Sequence, residues 1–372
     1  MTIREDRPRA RDLGITIGVL PPGPLNAITD IAGVRVGHCT VWEGESPGKY
    51  GSGPARTGVT AIVPPGDYFG ERLYAGCSVL NGCGEIIGIT NLNELGTLDT
   101  PILLTNSMSI GIVYHATASY LCARDERIGR TDVTMPVVGE CDDSYLNDAT
   151  GFHVREEHVI QALENATEGP VAEGTVASAT GLHCFHFKGG IGTSSRQLPD
   201  QYGGYTVGVL VNTNFGDRHY LTIAGAPVGR EIQDLMPGET GYDKPAEGSC
   251  IVVVATDAPL HPLSLQRLAR RAGLGLARTG STAHNGSGEI FLAFSTGVRI
   301  PRLPAEVEAP IRLVTESSQI LNLLFDATVE ATEEAVLNAL FRATTVSGID
   351  GHILHALPVE RTMEILRRYG HL

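Results

Sequence analysis

The chain predicts a mixed α+β fold, because short apolar runs alternate with amphipathic stretches along it and because glycine and proline punctuate both. Residues 31–38 (IAGVRVGH) and 57–63 (TGVTAIV) have the length and β-branched content of strands and are bounded by glycine or proline. Residues 159–166 (VIQALENA) read as a helix, and 207–211 (VGVLV) as an apolar strand that ends in amides and a glycine turn. The run 249–255 (SCIVVVA) reads as a buried strand whose first residue is a serine. A helix follows over Pro262–Arg278: Pro262 suits a first helical position, Leu265, Leu268, Ala269, Ala272 and Leu276 recur at three-to-four spacing, and Gly280 is the stop. Residues 290–294 (IFLAF) read as another strand, and 332–340 with Val359–Arg368 as a closing helical pair.

Composition narrows the function classes. With 372 residues, 42% of them hydrophobic, and 45 glycines, the chain can bury one large core or two smaller ones. Its 28 basic and 42 acidic residues give a formal charge of −14, and no stretch concentrates Lys and Arg enough to neutralise a row of phosphates. Nucleic acid and anionic membranes are therefore excluded as partners. The segment 1–8 lacks the apolar core of a secretory signal, and no apolar run reaches the length of a membrane span. Seven cysteines, an odd number without paired short spacings, fit reduced thiols in the cytoplasm. No repeat of fixed period and no low-complexity tract is present.

The sharpest local signal is the junction Gly248-Ser249, where a polar stretch from about Gly225 to Gly248 meets the apolar strand without a gap. A chain cut there would give Ser249 a free α-amine, a base that titrates at about 7.7 to 8. That amine can take the proton of its own residue's hydroxyl, so nucleophilic catalysis needs no histidine. The alternative is that Ser249 merely begins a strand.

Three polar clusters offer partners. In Asn285-Gly286-Ser287-Gly288-Glu289 the period of two puts Ser287 and Glu289 on one strand face and Ile290 and Leu292 on the other. A carboxylate there holds an ammonium and a serine hydroxyl; otherwise the cluster is a solvated strand end. Asn212 and Asn214, at the end of the 207–211 strand, supply amide donors of the kind an oxyanion needs, or simply form a turn. The acidic patch 139–148, with Glu140 and Tyr145, either grips a substrate ammonium or is an exposed loop. Two other patterns fall short: His183-Cys184-Phe185-His186 lacks a second ligand pair for zinc, and in 188–195 (KGGIGTSS) the lysine precedes the glycines, so a turn beside the active centre is expected and no phosphate cradle. No metal or cofactor is expected.

Pro245-Ala246-Glu247-Gly248-Ser249 and the run that follows it closely resemble the autoprocessing junction of the L-aminopeptidase/D-esterase and β-peptidyl aminopeptidase family, peptidase family S58. The segments 33–38, 80–85, 104–107, 145–148, 187–193 and 336–340 look like the family's other landmarks, so the resemblance covers nearly the whole chain. It implies a single αββα four-layer sandwich over 1–372, built as one precursor and cut into an α polypeptide, 1–248, and a β polypeptide, 249–372. By the same resemblance Ser249 is the nucleophile, Ser287 and Glu289 its hydrogen-bonding partners, Asn214 an oxyanion donor, and Glu140 and Tyr145 the groups that bind the substrate. The substrate is then a small peptide, amide or ester with a free amine, and the αβ units assemble as a homo-oligomer, a tetramer or similar. Two alternatives remain: an acyltransferase like the ornithine acetyltransferases, which favour threonine at the junction, and a small-molecule-binding relative that does not cut itself.

Overall fold

The structure, a computed structural model, describes residues 7–238 and 248–372, so Pro245, Ala246 and Glu247 of the junction lie outside the described residues. In chain order the strands are β1 (Arg35–Glu43), β2 (Ala55–Val63), β3 (Glu71–Gly82), β4 (Ile86–Ile87), β5 (Thr97–Leu98), β6 (Ile102–Asn106) and β7 (Val137–Cys141). They continue with β8 (His183–Cys184), β9 (Phe187–Lys188), β10 (Ile191–Gln197), β11 (Thr206–Phe215), β12 (Gly248–Thr256), β13 (Gly288–Pro301), β14 (Val346–Ser347) and β15 (Ile353–Leu354). The helices are α1 (Ile89–Leu95), α2 (Ile110–Arg124), α3 (Glu156–Glu164), α4 (Val228–Glu231), α5 (Pro262–Arg278), α6 (Gln319–Arg342) and α7 (Val359–Arg368).

One sheet has the order β1-β2-β6-β7-β4, and the other β5-β3-β13-β12-β11-β8-β9, with β10 also paired to β11. Alternating side chains stack them. Ile251 and Val253 of β12, with Ile290 and Leu292 of β13, face Ile62, Ile102 and Leu104 of the first sheet. The intervening residues Cys250, Val252, Val254 and Phe291 face Leu265, Leu268 and Leu276 of α5 and Leu324, Val336 and Leu340 of α6. On the outer side of the first sheet, Val59, Ala61 and Leu103 pack on Val113 of α2 and Val159 and Ala162 of α3. Three cores between four layers make the αββα sandwich. Each fully buried Val, Leu or Ile is worth about 1.5–3 kcal/mol, so a one-residue slip of β12, which would exchange its two faces, is strongly disfavoured. That register also decides which way Ser249 points.

Helices α5 and α7 have the bounds the spacing predicts, whereas α6 begins well before 332, at Gln319, and ends just after 340, at Arg342. Its central turns are buried on every side, so no apolar stripe marks them. They also carry acids: Arg196 of β10, fully buried, bonds Glu330 at 3.2 Å and Glu334 at 2.7 Å. Strand β1 begins at Arg35 and not at residue 31, because Ile28–Asp30 forms a 3-10 turn and the chain turns again where Val34 N donates to Ile31 O at 3.0 Å. The expected turn over 188–195 is corrected as well: only Gly189 and Gly190 connect β9 to β10, and 191–195 is buried strand. Its hydroxyls are satisfied internally, Thr193 Oγ1 donating to Val209 O at 2.7 Å and Ser194 Oγ to Asn26 Oδ1 at 2.8 Å, which removes the need for solvent.

Gly192 in β10 is where α6 approaches most tightly, since a Cβ there would collide with Ala335 O. Gly192→Ala is expected to destabilise the protein by about 1–3 kcal/mol. A denaturant titration checks this, and an unchanged midpoint would show that the helix does not press on the strand. All seven cysteines are unpaired. Among the described residues no helix is long and apolar enough to cross a membrane.

Candidate active site

Ser249 stands at the first full ladder position of β12, between Asn214 of antiparallel β11 and Gly288 of parallel β13. It shares the face of Ile251 and Val253, so its hydroxyl points into the space between the sheets. There it is 4% exposed, and its Oγ has no oxygen or nitrogen partner, only the thiol of Cys141 at the end of β7 beside it as a weak hydrogen-bonding neighbour. A buried hydroxyl without a strong partner is costly, and such groups concentrate at reactive centres. The preceding residue is Gly248 for a steric reason: its φ is +114°, and a Cβ would collide with the carbonyl oxygen of Asn214.

Asn214 is directly opposite Ser249 and on the same sheet face. Its amide orientation is fixed from both ends, because His183 N donates to Oδ1 at 3.2 Å and Nδ2 donates to Asp142 O at 2.9 Å. The second N–H of that amide takes part in neither bond, and a preorganised amide N–H is the kind of donor that can stabilise an oxyanion. Asn212 lies two pairs further in, opposite Ile251, and its Oδ1 accepts from Ser178 Oγ at 3.0 Å.

Ser287 and Glu289 come together as expected, with Ser287 Oγ donating to Glu289 Oε1. Glu289 has the parity of Phe291, so its carboxylate lies on the helix side of the sheet, the side opposite the Ser249 hydroxyl. The backbone nitrogen of Ser249, on the neighbouring strand, belongs to neither face. Glu289 is fully buried, its Oε2 has no hydrogen-bond partner, and burial raises its pKa against the opposing effects of Ser287 and His284. A carboxylate in that state stabilises an ammonium arriving beside it.

Glu140, near the end of β7, is 7% exposed and accepts from Ser107 Oγ and, at 2.9 Å, from Glu85 N. A Cβ on Gly84 would lie 3.4 Å from Glu140 Oε1 and 3.5 Å from Gly288 Cα, which brings the carboxylate next to the strand position opposite Ser249. Burial raises its pKa above the usual carboxylate range. The rest of the acidic patch is structural and largely inside: Asn147 Nδ2 donates to Asp143 Oδ1 at 2.9 Å, Arg56 N donates to Asn147 Oδ1 at 2.9 Å, and Asp143, Asn147 and Asp148 are buried. Tyr145 is held by a different cluster, stacked on His352 with ring centroids 4.3 Å apart and packed over Leu146, Val346 and Leu354.

The sequence reading gave no role to Ser107, Cys141 or Asp217. Ser107 follows β6, whose Thr105 pairs with Glu140 of parallel β7, so only the topology reveals the contact. Asp217 lies 3.3 Å from both His186 Nε2 and His284 Nδ1, and with His284 it borders a void of about 10 Å³ beside Ser287 and Glu289. Clefts of about 480 Å³, near Tyr68 and Arg124, and about 530 Å³, near Leu80 and Leu274, include none of these site residues. Among the described residues no group of three His, Cys, Asp or Glu side chains is arranged to hold a metal ion.

Known proteins share this arrangement of sheets and helices. The model of peptidase family S58 matches residues 26–354. The β-peptidyl aminopeptidase BapA of Sphingosinicella microcystinivorans is 43% identical over 376 residues, 98% of this chain and 93% of that protein. A solved structure from Pyrococcus horikoshii OT3 superposes with a TM-score of 0.91 at 46% identity, covering 98% of this chain and all 100% of the other. The L-aminopeptidase D-Ala-esterase/amidase of Ochrobactrum anthropi, described as a prototype for the serine aminopeptidases and a variant of the Ntn hydrolase fold, superposes with a TM-score of 0.91 at 40% identity, covering 98% and 100% of the two chains.

Proposed function

We propose, since this chain belongs to peptidase family S58 and is an aminopeptidase/amidase with an Ntn hydrolase fold, that it cuts itself before Ser249 and uses that serine as an N-terminal nucleophile. The carrying observation is the buried Ser249 hydroxyl, without an oxygen or nitrogen partner, directly after Gly248 and facing Asn214. In the precursor Ser249 Oγ adds to the Gly248 carbonyl carbon, the C–N bond breaks, and the hydroxyl proton passes to the departing amine. Water then hydrolyses the ester and leaves two chains, 1–248 and 249–372, held together by the shared sheet.

In the mature enzyme the new amine takes the Ser249 hydroxyl proton as the oxygen attacks the substrate carbonyl. The Asn214 amide stabilises the oxyanion, and Glu289 with Ser287 stabilises the ammonium. The amine then returns its proton to the leaving group, and water releases the acyl-enzyme. Glu140 binds the substrate's free amine, with Tyr145 at the margin of the pocket. The substrates are small peptides, amides or esters with an N-terminal amine, β-amino acyl groups among them, as the name of the Sphingosinicella relative suggests. Unpaired cysteines suit a cytoplasmic enzyme, and exposed Leu263 and Leu274 on α5 favour a homo-oligomer of αβ units.

The test is intact mass spectrometry of active protein, together with hydrolysis of alanine p-nitroanilide. Two polypeptides that divide before Ser249 are expected; turnover by a single uncut chain would rule the proposal out. Acetyl transfer to an amino acid in place of hydrolysis would favour the acyltransferase.

A further inference from the structure

Lys188, at the end of β9, is completely buried, and its Nζ donates to three backbone carbonyls: Ala179 O at 2.9 Å, Leu182 O at 2.8 Å and Gly189 O at 2.7 Å. A neutral amine has only two N–H groups, so satisfying all three carbonyls requires the ammonium form. Burial opposes that by lowering its pKa to about 7, while Cys184 and Asp143 act in the other direction. Placing a cation inside a protein without a hydrogen-bonded carboxylate is costly, and nothing in the proposed chemistry uses Lys188 directly.

The three carbonyls come from the 3-10 turn Ala177–Ala179, from Leu182 just before β8 and from Gly189 just after β9, and Gly189 N closes the β8–β9 hairpin by donating to Leu182 O at 3.0 Å. His183, the next residue after Leu182, donates its N–H to Asn214 Oδ1. That contact decides the amide's direction, because a backbone N–H can only donate and so demands the oxygen end, which turns the NH₂ end toward Asp142 O and the side of Ser249. We infer that Lys188 is a positioning residue for the oxyanion donor: its ammonium ties the 3-10 turn ending at Ala179 to the β8–β9 hairpin so that the His183 N–H holds Asn214 in the orientation catalysis needs. This rests on the reading of Asn214 given above.

A double-mutant cycle tests it. Asn214→Ala alone should lower kcat by about 100- to 1000-fold, as loss of one oxyanion donor does. Lys188→Met should lower kcat about tenfold or more with KM nearly unchanged, and in the Asn214→Ala background it should have almost no further effect on kcat, because its route to the chemistry has gone. If Asn214→Ala keeps full kcat, the oxyanion assignment fails and the inference with it. If Asn214→Ala is crippled but Lys188→Met keeps its kcat, or if the two losses multiply, the inference alone fails. Should Lys188→Met not fold, His183→Pro decides the matter, since it removes the N–H and leaves the three carbonyls to Lys188: a kcat loss like that expected of Lys188→Met supports the link, and an unaltered kcat overturns it.

Discussion

Ser249→Ala is expected to yield one uncut polypeptide on a denaturing gel and to lower turnover by on the order of a millionfold, the scale of losing a serine nucleophile in other hydrolases. Both losses come from one atom, because in the proposed mechanism the same oxygen attacks Gly248 in the precursor and the substrate afterwards. The structure adds an expectation about stability. The hydroxyl is buried with only the Cys141 thiol, a weak partner, beside it, so deleting it removes a poorly satisfied polar group. The variant should therefore melt at the same temperature as the wild-type precursor or slightly above it, and its inactivity could not be ascribed to unfolding. Two fragments in the Ser249→Ala preparation would refute the assignment outright.

How far the residues alone reach is clearest around this serine. The sequence places Ser249 at the head of one apolar strand and Asn214 at the foot of another, and both placements hold. It does not say that β11 and β12 are antiparallel neighbours with these two residues as partners, which is a matter of topology. The period of two correctly joins Ser287 to Glu289, but only the β12–β13 register shows their carboxylate on the opposite sheet face from the hydroxyl. That register is why the proposed mechanism pairs Glu289 with the amine and not with the oxygen. Lys188 was visible as a lysine beside glycines, yet its role depends on carbonyls nine and six residues upstream as well as on the adjacent one, contacts that no motif encodes. Helix α6 escapes periodicity for a related reason: Arg196, contributed by a distant strand, lets Glu330 and Glu334 occupy positions that a pattern search assigns to solvent.

Glu140→Gln is expected to weaken capture of substrates with a free amine by about 10- to 100-fold in KM, the worth of a charge-assisted hydrogen bond at a site shielded from water. Kcat should change less, because in the proposed mode of binding the carboxylate contacts the amine and not the scissile carbonyl. The pH dependence has a definite sign. Burial raises the pKa of Glu140, and only its ionised form attracts an ammonium. As pH falls through that raised value, the wild-type enzyme protonates Glu140 and its KM climbs; bound substrate, by favouring the charged form, moves the transition to lower pH. Glu140→Gln should lack this acidic limb and should no longer prefer a free amine to its N-acetylated analogue. Ser107→Ala should shift the limb to higher pH, since the Ser107 hydroxyl bond is what holds the Glu140 pKa down most strongly. Steady-state kinetics on both substrates from acid to neutral pH measure all three, and a KM for the free amine that Glu140→Gln leaves unmoved would take the carboxylate out of substrate recognition.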